Sequence, residues 1–475
     1  MPETTWPADD GGLFSAGRRA LSVGLVLTIT LVAFESLAVT TAMPIVAREL
    51  GGIELYGWVF SSFFLGDLVG IVILGGLIDR GGLVRPLTIG LGLFAAGLLI
   101  GGLAPSMAVL VGARLLQGFG AGGIAPVAYV AIARALPAPL RPRMFAVLST
   151  AWVVPGIIGP AISGLIAEHA SWRLVFLGLL PLVVFAGLLT IPAIARVGSE
   201  PVVPETERIR PPAGLFRGRL TWALLLTGGA GLLVVGLTSA TLFPGLALIG
   251  LGIAIGLPAF QRLTPAGTLV AQPGLPAAIL VRGLLTFAFF SVDAYVPLAL
   301  ISWRGMDASA AGLALTVATL TWTVGAWIQA RHVDRLGVRR FVAWGFALVL
   351  LGIAILALVL SPGVPVVVAM LAWAIAGLGM GLSYAPLSLI VLAEAPLDGQ
   401  GAATAALQLS DVLGTALGTG VAGALIAMAA RAGEPAWVGL AGAFAVGALV
   451  GLVGLGLSGR LGGPLTRTRA ALEAR

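Results

Sequence analysis

Of the chain's 475 residues, 59% are hydrophobic and only 10% are charged, and the mean hydropathy is +1.07; an ordinary soluble domain carries roughly 25% charged residues, which excludes water as the main solvent. With no cysteine there is no disulfide framework, thiol nucleophile or thiolate metal site, and two histidines, His169 and His332, leave little other metal chemistry. The net charge of +7 is carried by arginines at the ends of apolar runs rather than along one polar face, which points to membrane topology and not to nucleic acid.

A helix that crosses a bilayer needs about 20 apolar residues. Runs of that kind predict helices over 20–46, 56–78, 86–104, 107–134, 143–167, 173–195, 219–237, 240–260, 276–300, 308–331, 340–360, 364–393, 400–430 and 436–458. Arg18 and Arg19 precede the first run and no small-residue cleavage site follows a short apolar core, so this helix is expected to stay in place. Fourteen crossings put both termini on one side. Twenty-one arginines fall on that side, and only Arg48, Arg173, Arg304 and Arg431 on the other; the positive-inside rule then makes the termini cytoplasmic in a multi-pass protein of a bacterial inner membrane.

Residues 196–218 form the longest internal polar stretch, with Pro201, Pro204, Pro211 and Pro212. They predict a cytoplasmic linker between a six-helix bundle at 1–195 and, after a two-helix hairpin at 219–262, a second six-helix bundle and tail at 263–475. The flanking bundles repeat. Asp79 to Arg85 (DRGGLVR) after helix two returns as Asp334 to Arg340 (DRLGVRR) after helix ten, 255 residues later. Gly118, Gly120, Gly122 and Pro126 of helix four return as Gly377, Gly379, Gly381 and Pro386 of helix twelve. Repetition of this kind builds two bundles around a midplane site that opens to either side in turn.

Three motifs resemble the major facilitator superfamily, in particular its fourteen-helix drug:proton antiporter branch, and the likeness runs from helix one to helix fourteen. Gly75, Asp79, Arg80, Gly82 and Arg85 look like the family's loop between helices two and three, a charge relay that acts as a conformational switch, with Asp334 and Arg335 as its echo. Leu83 and Val84 stand where the family usually has basic residues. Arg114, Gln117 and Gly118 in RLLQGFGA match the helix-four arginine motif. Pro155, Gly156, Gly159, Pro160 and Gly164 in PGIIGPAISG look like the antiporter motif of exporters, with Ser163 where a second glycine is usual. The resemblance implies an all-α membrane protein of major-facilitator type, two six-helix bundles plus two inserted helices, working as a monomer without a cofactor.

An acid within an apolar span is a functional candidate because a carboxylate in hydrocarbon is costly. Glu35, Asp67, Asp293 and Asp411 are such residues, expected to couple protons to transport; Glu35 ranks first because the family commonly has an acid there. A bland alternative for each is a structural hydrogen bond to a neighbouring helix. Aromatic rings suit varied lipophilic cations, and Phe34, Trp58, Trp152, Phe290, Tyr295 and Tyr384 are the substrate-binding candidates. A phosphate loop of the ATPase type needs a lysine, and the chain has none, so an ion gradient must supply the energy. The expected partners are a small-molecule substrate, protons and the lipid bilayer. Proton-coupled export of small lipophilic or cationic compounds, that is, multidrug efflux, is the leading reading. Export of a lipid or hydrophobic metabolite is the alternative, and a polytopic membrane enzyme the distant one.

Overall fold

A computed structural model describes residues 12–15, 18–137, 140–198, 213–396 and 399–462, and its regular structure is helical throughout. The first bundle contains α1 (Arg19–Leu50), α2 (Tyr56–Gly81), α3 (Val84–Gly102), α4 (Met107–Ala135), α5 (Arg141–Thr150), α6 (Val153–Ile166), α7 (Arg173–Leu177) and α8 (Leu180–Gly198). An inserted hairpin follows, α9 (Ala213–Leu237) and α10 (Leu242–Leu263). The second bundle contains α11 (Leu275–Asp293), α12 (Ala308–Leu336), α13 (Val338–Leu358), α14 (Val367–Glu394), α15 (Gln400–Arg431) and α16 (Ala436–Leu457). Among the described residues fourteen helical stretches are long and apolar enough to cross a membrane. The expected linker falls largely on residues outside the described ones.

Three crossings are not the single helices that apolar length predicts, and each break lies at a proline. The fifth splits into α5 and α6 at Ala151–Trp152, because Pro155 has no N–H to give the Ala151 carbonyl. The sixth splits into α7 and α8 around Gly178, where Pro181 withholds the same bond from Leu177. In the ninth, Pro297 frees the Asp293 carbonyl, and the chain continues as a wider π-turn at Leu298–Trp303.

Without water between them, membrane helices associate by close packing, and small residues allow it. Gly118 and Gly122 of α4 lie so close to Phe63 and Asp67 of α2 that a side chain would meet their backbone, while Gly120 lies against Gly90 and Phe94 of α3. In the second bundle Gly377 and Gly381 of α14 lie against Ala318 and Trp322 of α12, and Gly379 against Gly345 and Val349 of α13. Each contacted residue is displaced by 255 from its counterpart, the offset read from the sequence motif. Gly82 and Gly337, equivalent under the same offset, both take positive φ, 86° and 82°, where the chain turns between crossings.

The bundles meet along two pseudo-equivalent seams, both toward the ends that carry few arginines. In the first, Gly57 of α2 touches Gly423 of α15, and Ser61 Oγ donates to the Ala416 carbonyl at 2.9 Å and lies 3.1 Å from Thr419 Oγ1. In the second, Gly156 and Gly164 of α6 pack on Thr319 and Ser309 of α12, and Gly312 packs on Pro160. Thr316 Oγ1, 255 residues after Ser61, donates to the Ile157 carbonyl at 3.4 Å, and Glu168 accepts from Ala308 N and from Ser309 Oγ. The antiporter-like motif is therefore a seam between bundles. Because the chain has no cysteine, the doubly substituted Ser61→Cys, Thr419→Cys protein is expected to cross-link under mild oxidation and to stop transporting until reduced. Absence of a cross-link in a folded, membrane-inserted protein would show that this seam does not close.

Candidate functional site

Two arginines lie inside the membrane-spanning helices, one in each bundle, and each is held by a carboxylate from another helix. In the first bundle Arg114 of α4 is 3% exposed and pairs with Glu35 of α1, which is fully buried. The Arg114 guanidinium also donates to the Val59 carbonyl at 3.2 Å and to Gln117 Oε1 at 2.9 Å, and lies over the Phe63 ring, 4.3 Å from its centroid. Glu35 Oε2 and Gln117 Nε2 have no hydrogen-bond partner. Glu35 thus belongs to a sealed polar cluster within one bundle.

In the second bundle Arg282 Nε of α11 donates to Asp411 Oδ1 of α15 at 3.0 Å, and its Nη1 donates to the Tyr384 carbonyl of α14 at 2.6 Å. The guanidinium covers the Tyr384 ring, whose hydroxyl donates to Asp411 Oδ2 at 2.8 Å. Both carboxylate oxygens of Asp411 are thereby engaged. Asp67 of α2 faces this cluster across the space between the bundles, within electrostatic reach of Asp411; Leu65 and Leu68 beside it pack on Leu413 and Leu409 of α15. Among the described residues Asp67 has neither a hydrogen-bond partner nor an arginine in ion-pair range. Tyr129 of α4 also lies within electrostatic reach of Arg282 and Asp411 and is 45% exposed, on the half of α4 that points toward the arginine-rich side.

The other candidates are dispersed. Asp293 accepts from Trp373 Nε1 at 2.7 Å inside the second bundle, where Trp373 stacks on Phe289. Phe290 meets Phe289 edge to face. Phe34 of α1 packs beside Gly159 of α6, and Trp152 stands exposed at the α5–α6 break. Trp58 turns outward to the hairpin, its indole N–H 3.5 Å from Thr238 Oγ1. Tyr295 is fully buried in the first seam with Tyr56 and Phe60, and its hydroxyl donates to the Thr419 carbonyl; its ring offers no free face to a ligand in this conformation. Gly75 has open space where a side chain would be, and Arg85, Asp334 and Arg335 are exposed. The relay expected of Asp79 and Arg80 rests on side chains outside the described part of the structure.

Arg282 and Tyr129 are the residues that motif reading misses. The signal for Arg282 was present, since arginine in the middle of LPAAILVRGLLTFAFF breaks an otherwise apolar run and an intramembrane charge marks function by default. Tyr129 carried no comparable signal.

Residues 25–419 match the description of the Major Facilitator Superfamily. Among curated relatives, a probable multidrug-efflux transporter of Mycobacterium tuberculosis is 28% identical over 460 residues, covering 92% of this chain and 94% of the relative. The multidrug transporter MdtP of Bacillus subtilis is 28% identical over 88% of this chain and 76% of its own length. Among solved structures, a peptide transporter in complex with alafosfalin superimposes with a TM-score of 0.67 at 16% identity, over 94% of this chain and 95% of that one. The xylose transporter of E. coli in a partially occluded inward-open conformation gives 0.60 at 14% identity, over 92% and 97%. These last two likenesses concern the fold alone. Internal repeat, paired seams and family match converge: the chain is a membrane transporter, rather than a membrane enzyme, and belongs to the major facilitator superfamily.

Proposed function

We propose that this transporter exports small lipophilic cations in exchange for protons, by rocking its bundles about the central site. The observation that carries the reading is Asp67, a carboxylate that has no hydrogen-bond or ion-pair partner among the described residues and lies within electrostatic reach of Asp411. Two carboxylates and one guanidinium leave the centre one positive charge short, and a proton or a substrate cation can supply it, which makes the two compete. The names of the M. tuberculosis and B. subtilis relatives, and the antiporter-like motif in α6, support outward multidrug transport.

In this reading the arginine-rich face is cytoplasmic, both termini lie there in a bacterial inner membrane, and the two seams close the outer side. The protein works as a monomer, with Phe34, Trp152, Phe290 and Tyr384 as aromatic surfaces for the substrate and the Gly75–Arg85 and Asp334–Arg335 segments as switches. Glu35 joins Asp67 and Asp411 in the coupling path through Arg114, with Asp293 as the fourth acid. A second reading, export of a lipid or hydrophobic metabolite, draws on an apolar cleft of about 250 Å³ between the hairpin and the second bundle, bordered by Leu226, Phe260, Leu284 and Leu417.

Accumulation of ethidium in efflux-deficient cells separates the readings. Wild type should exclude the dye until a protonophore is added, and Asp67→Asn and Glu35→Gln should accumulate it about as cells without the transporter do. Unchanged, protonophore-sensitive exclusion by both variants would remove these acids from the coupling path. Preference for neutral long-chain compounds over ethidium would favour the second reading.

Stability should respond differently at the sealed pair. Arg114→Gln strands a buried carboxylate and Glu35→Gln a buried guanidinium, and removing one partner of such a pair costs about 3–5 kcal/mol; the carboxyl can take up a proton, whereas the guanidinium cannot lose one. Thermal unfolding in detergent should therefore show the larger loss for Glu35→Gln, and equal losses would argue against an ionised pair.

A further inference from the structure

The central site contains more charge than export of a cation requires. Arg282 is 3% exposed and Asp411 13%, and the pair is completed by Tyr384. From the first bundle only Asp67 and Tyr129 bring titratable groups to this centre among the described residues. The Glu35–Arg114 pair is neutral as a unit and sealed in its own bundle, and Asp293 is held by Trp373 within the other. Counting the centre alone, Asp67 and Asp411 contribute two negative charges and Arg282 one positive, which leaves one negative charge. It resides on Asp67, because both oxygens of Asp411 are occupied.

We propose that Arg282 is the residue that sets the charge of the substrate: by cancelling Asp411 it leaves Asp67 as the one open carboxylate, so that the site takes a lipophilic ligand with a single positive charge and disfavours a dication. A transporter that needs only attraction for cations would do better without the arginine, since a guanidinium this near repels every cationic ligand. Its presence makes sense as a limit. A monocation can neutralise Asp67 while the Arg282–Asp411 pair stays intact. A dication would place its second charge against Arg282 or would have to displace Arg282 from Asp411, and among the described residues a displaced guanidinium has no other carboxylate of its own bundle to take, since Asp293 is held by Trp373. The aromatic wall on the same side, Tyr384 with Trp322 at 5.4 Å between ring centroids, suits a flat aromatic body attached to that charge.

The inference rests on the cation-export reading, and a matched pair of dyes separates the two. Ethidium and propidium share the phenanthridinium ring and carry one and two positive charges. With the purified, full-length protein in lipid nanodiscs, fluorescence titration should show ethidium binding about tenfold more tightly than propidium. Arg282→Gln, which leaves the centre with two negative charges, should shift that ratio at least tenfold toward propidium. Arg282→Gln combined with Asp411→Asn returns the centre to one negative charge and should restore the preference for ethidium, a rescue that a merely damaged fold would not give. Asp67→Asn should weaken ethidium binding about tenfold. If wild type binds both dyes equally, or the ratio stays fixed when Arg282 is replaced, the role given to Arg282 is overturned while cation export stands. If wild type binds neither dye, cation export falls and this inference with it.

Discussion

A guanidinium inside hydrocarbon must be neutralised, and the structure is organised around two places where that happens. Arg114 and Arg282 each take a carboxylate from a different helix of the same bundle, Glu35 and Asp411, and each also donates to a backbone carbonyl, of Val59 and of Tyr384. These bonds fix the depth and rotation of α1 against α4 and of α11 against α15 and α14, because a slip of one residue would leave a charge unpaired in a medium that gives it no solvent. Each bundle thereby has a charged bolt through it. The contacts between bundles are of another kind: hydroxyls on carbonyls, glycines on backbone, and the end of α12 on Glu168. Such contacts are individually weak, so the bundles can part along the seams while the bolts hold.

The repeat explains how one rocking motion serves both seams. Ser61 and Thr316 stand 255 residues apart and donate to carbonyls of α15 and α6 in corresponding places; Gly57 and Gly312 lie at the same offset and both sit in close backbone contact across a seam. A duplicated structure meets itself through duplicated surfaces. Function has broken the symmetry at the centre. The position of Asp67 in the first bundle is occupied by Trp322 in the second, and that of Asp411, under the offset of 259 that relates Ala416 to Ile157, is occupied by Trp152, so the pair of acids at the first seam has no counterpart at the other.

Much of this was legible in the sequence because membrane insertion imposes coarse rules. Apolar length gave the crossings to within a few residues, and the DRGGLVR and DRLGVRR landmarks gave the offset of 255 that the residues facing the α4 and α14 glycines obey, the glycines themselves being 259 apart. What resisted reading depended on which way a side chain turns about an apolar helix, where periodicity is faint when every face is hydrophobic. Trp58 and Tyr295 qualified as cavity aromatics by composition, yet one faces the hairpin and the other is buried in a seam. Glu35 resembled an open coupling acid, and its enclosure follows from Arg114, 79 residues away and four residues before the glycine that lets α4 approach α2. The breaks at Pro155, Pro181 and Pro297 could not be told apart by the missing N–H, because Pro44, Pro126, Pro160, Pro192, Pro258 and Pro386 lack it too and stand inside continuous helices.

The inserted hairpin bears on this motion asymmetrically. Helix α9 contacts both α2 and α15, one from each bundle, and so lies over the first seam, the one that contains Asp67 and Asp411. Helix α10 packs on α9 through Gly229, Gly252 and Gly256, and only 17% of its apolar stretch is buried within the protein, which leaves most of it to lipid. When α2 and α15 separate, α9 must slide on at least one of them. Its contacts there are almost wholly apolar, Leu226 and Ala230 among Leu65, Leu68 and Leu409, with the long Trp58–Thr238 bond as a polar tie to α2. In a bilayer, apolar surface lost to a neighbouring helix is regained from lipid tails at little cost. Sliding is therefore cheap on the α15 side, and the tie at Trp58 gives the hairpin a reason to travel with the first bundle. It can then shield the charged seam from lipid throughout the cycle without opposing its opening.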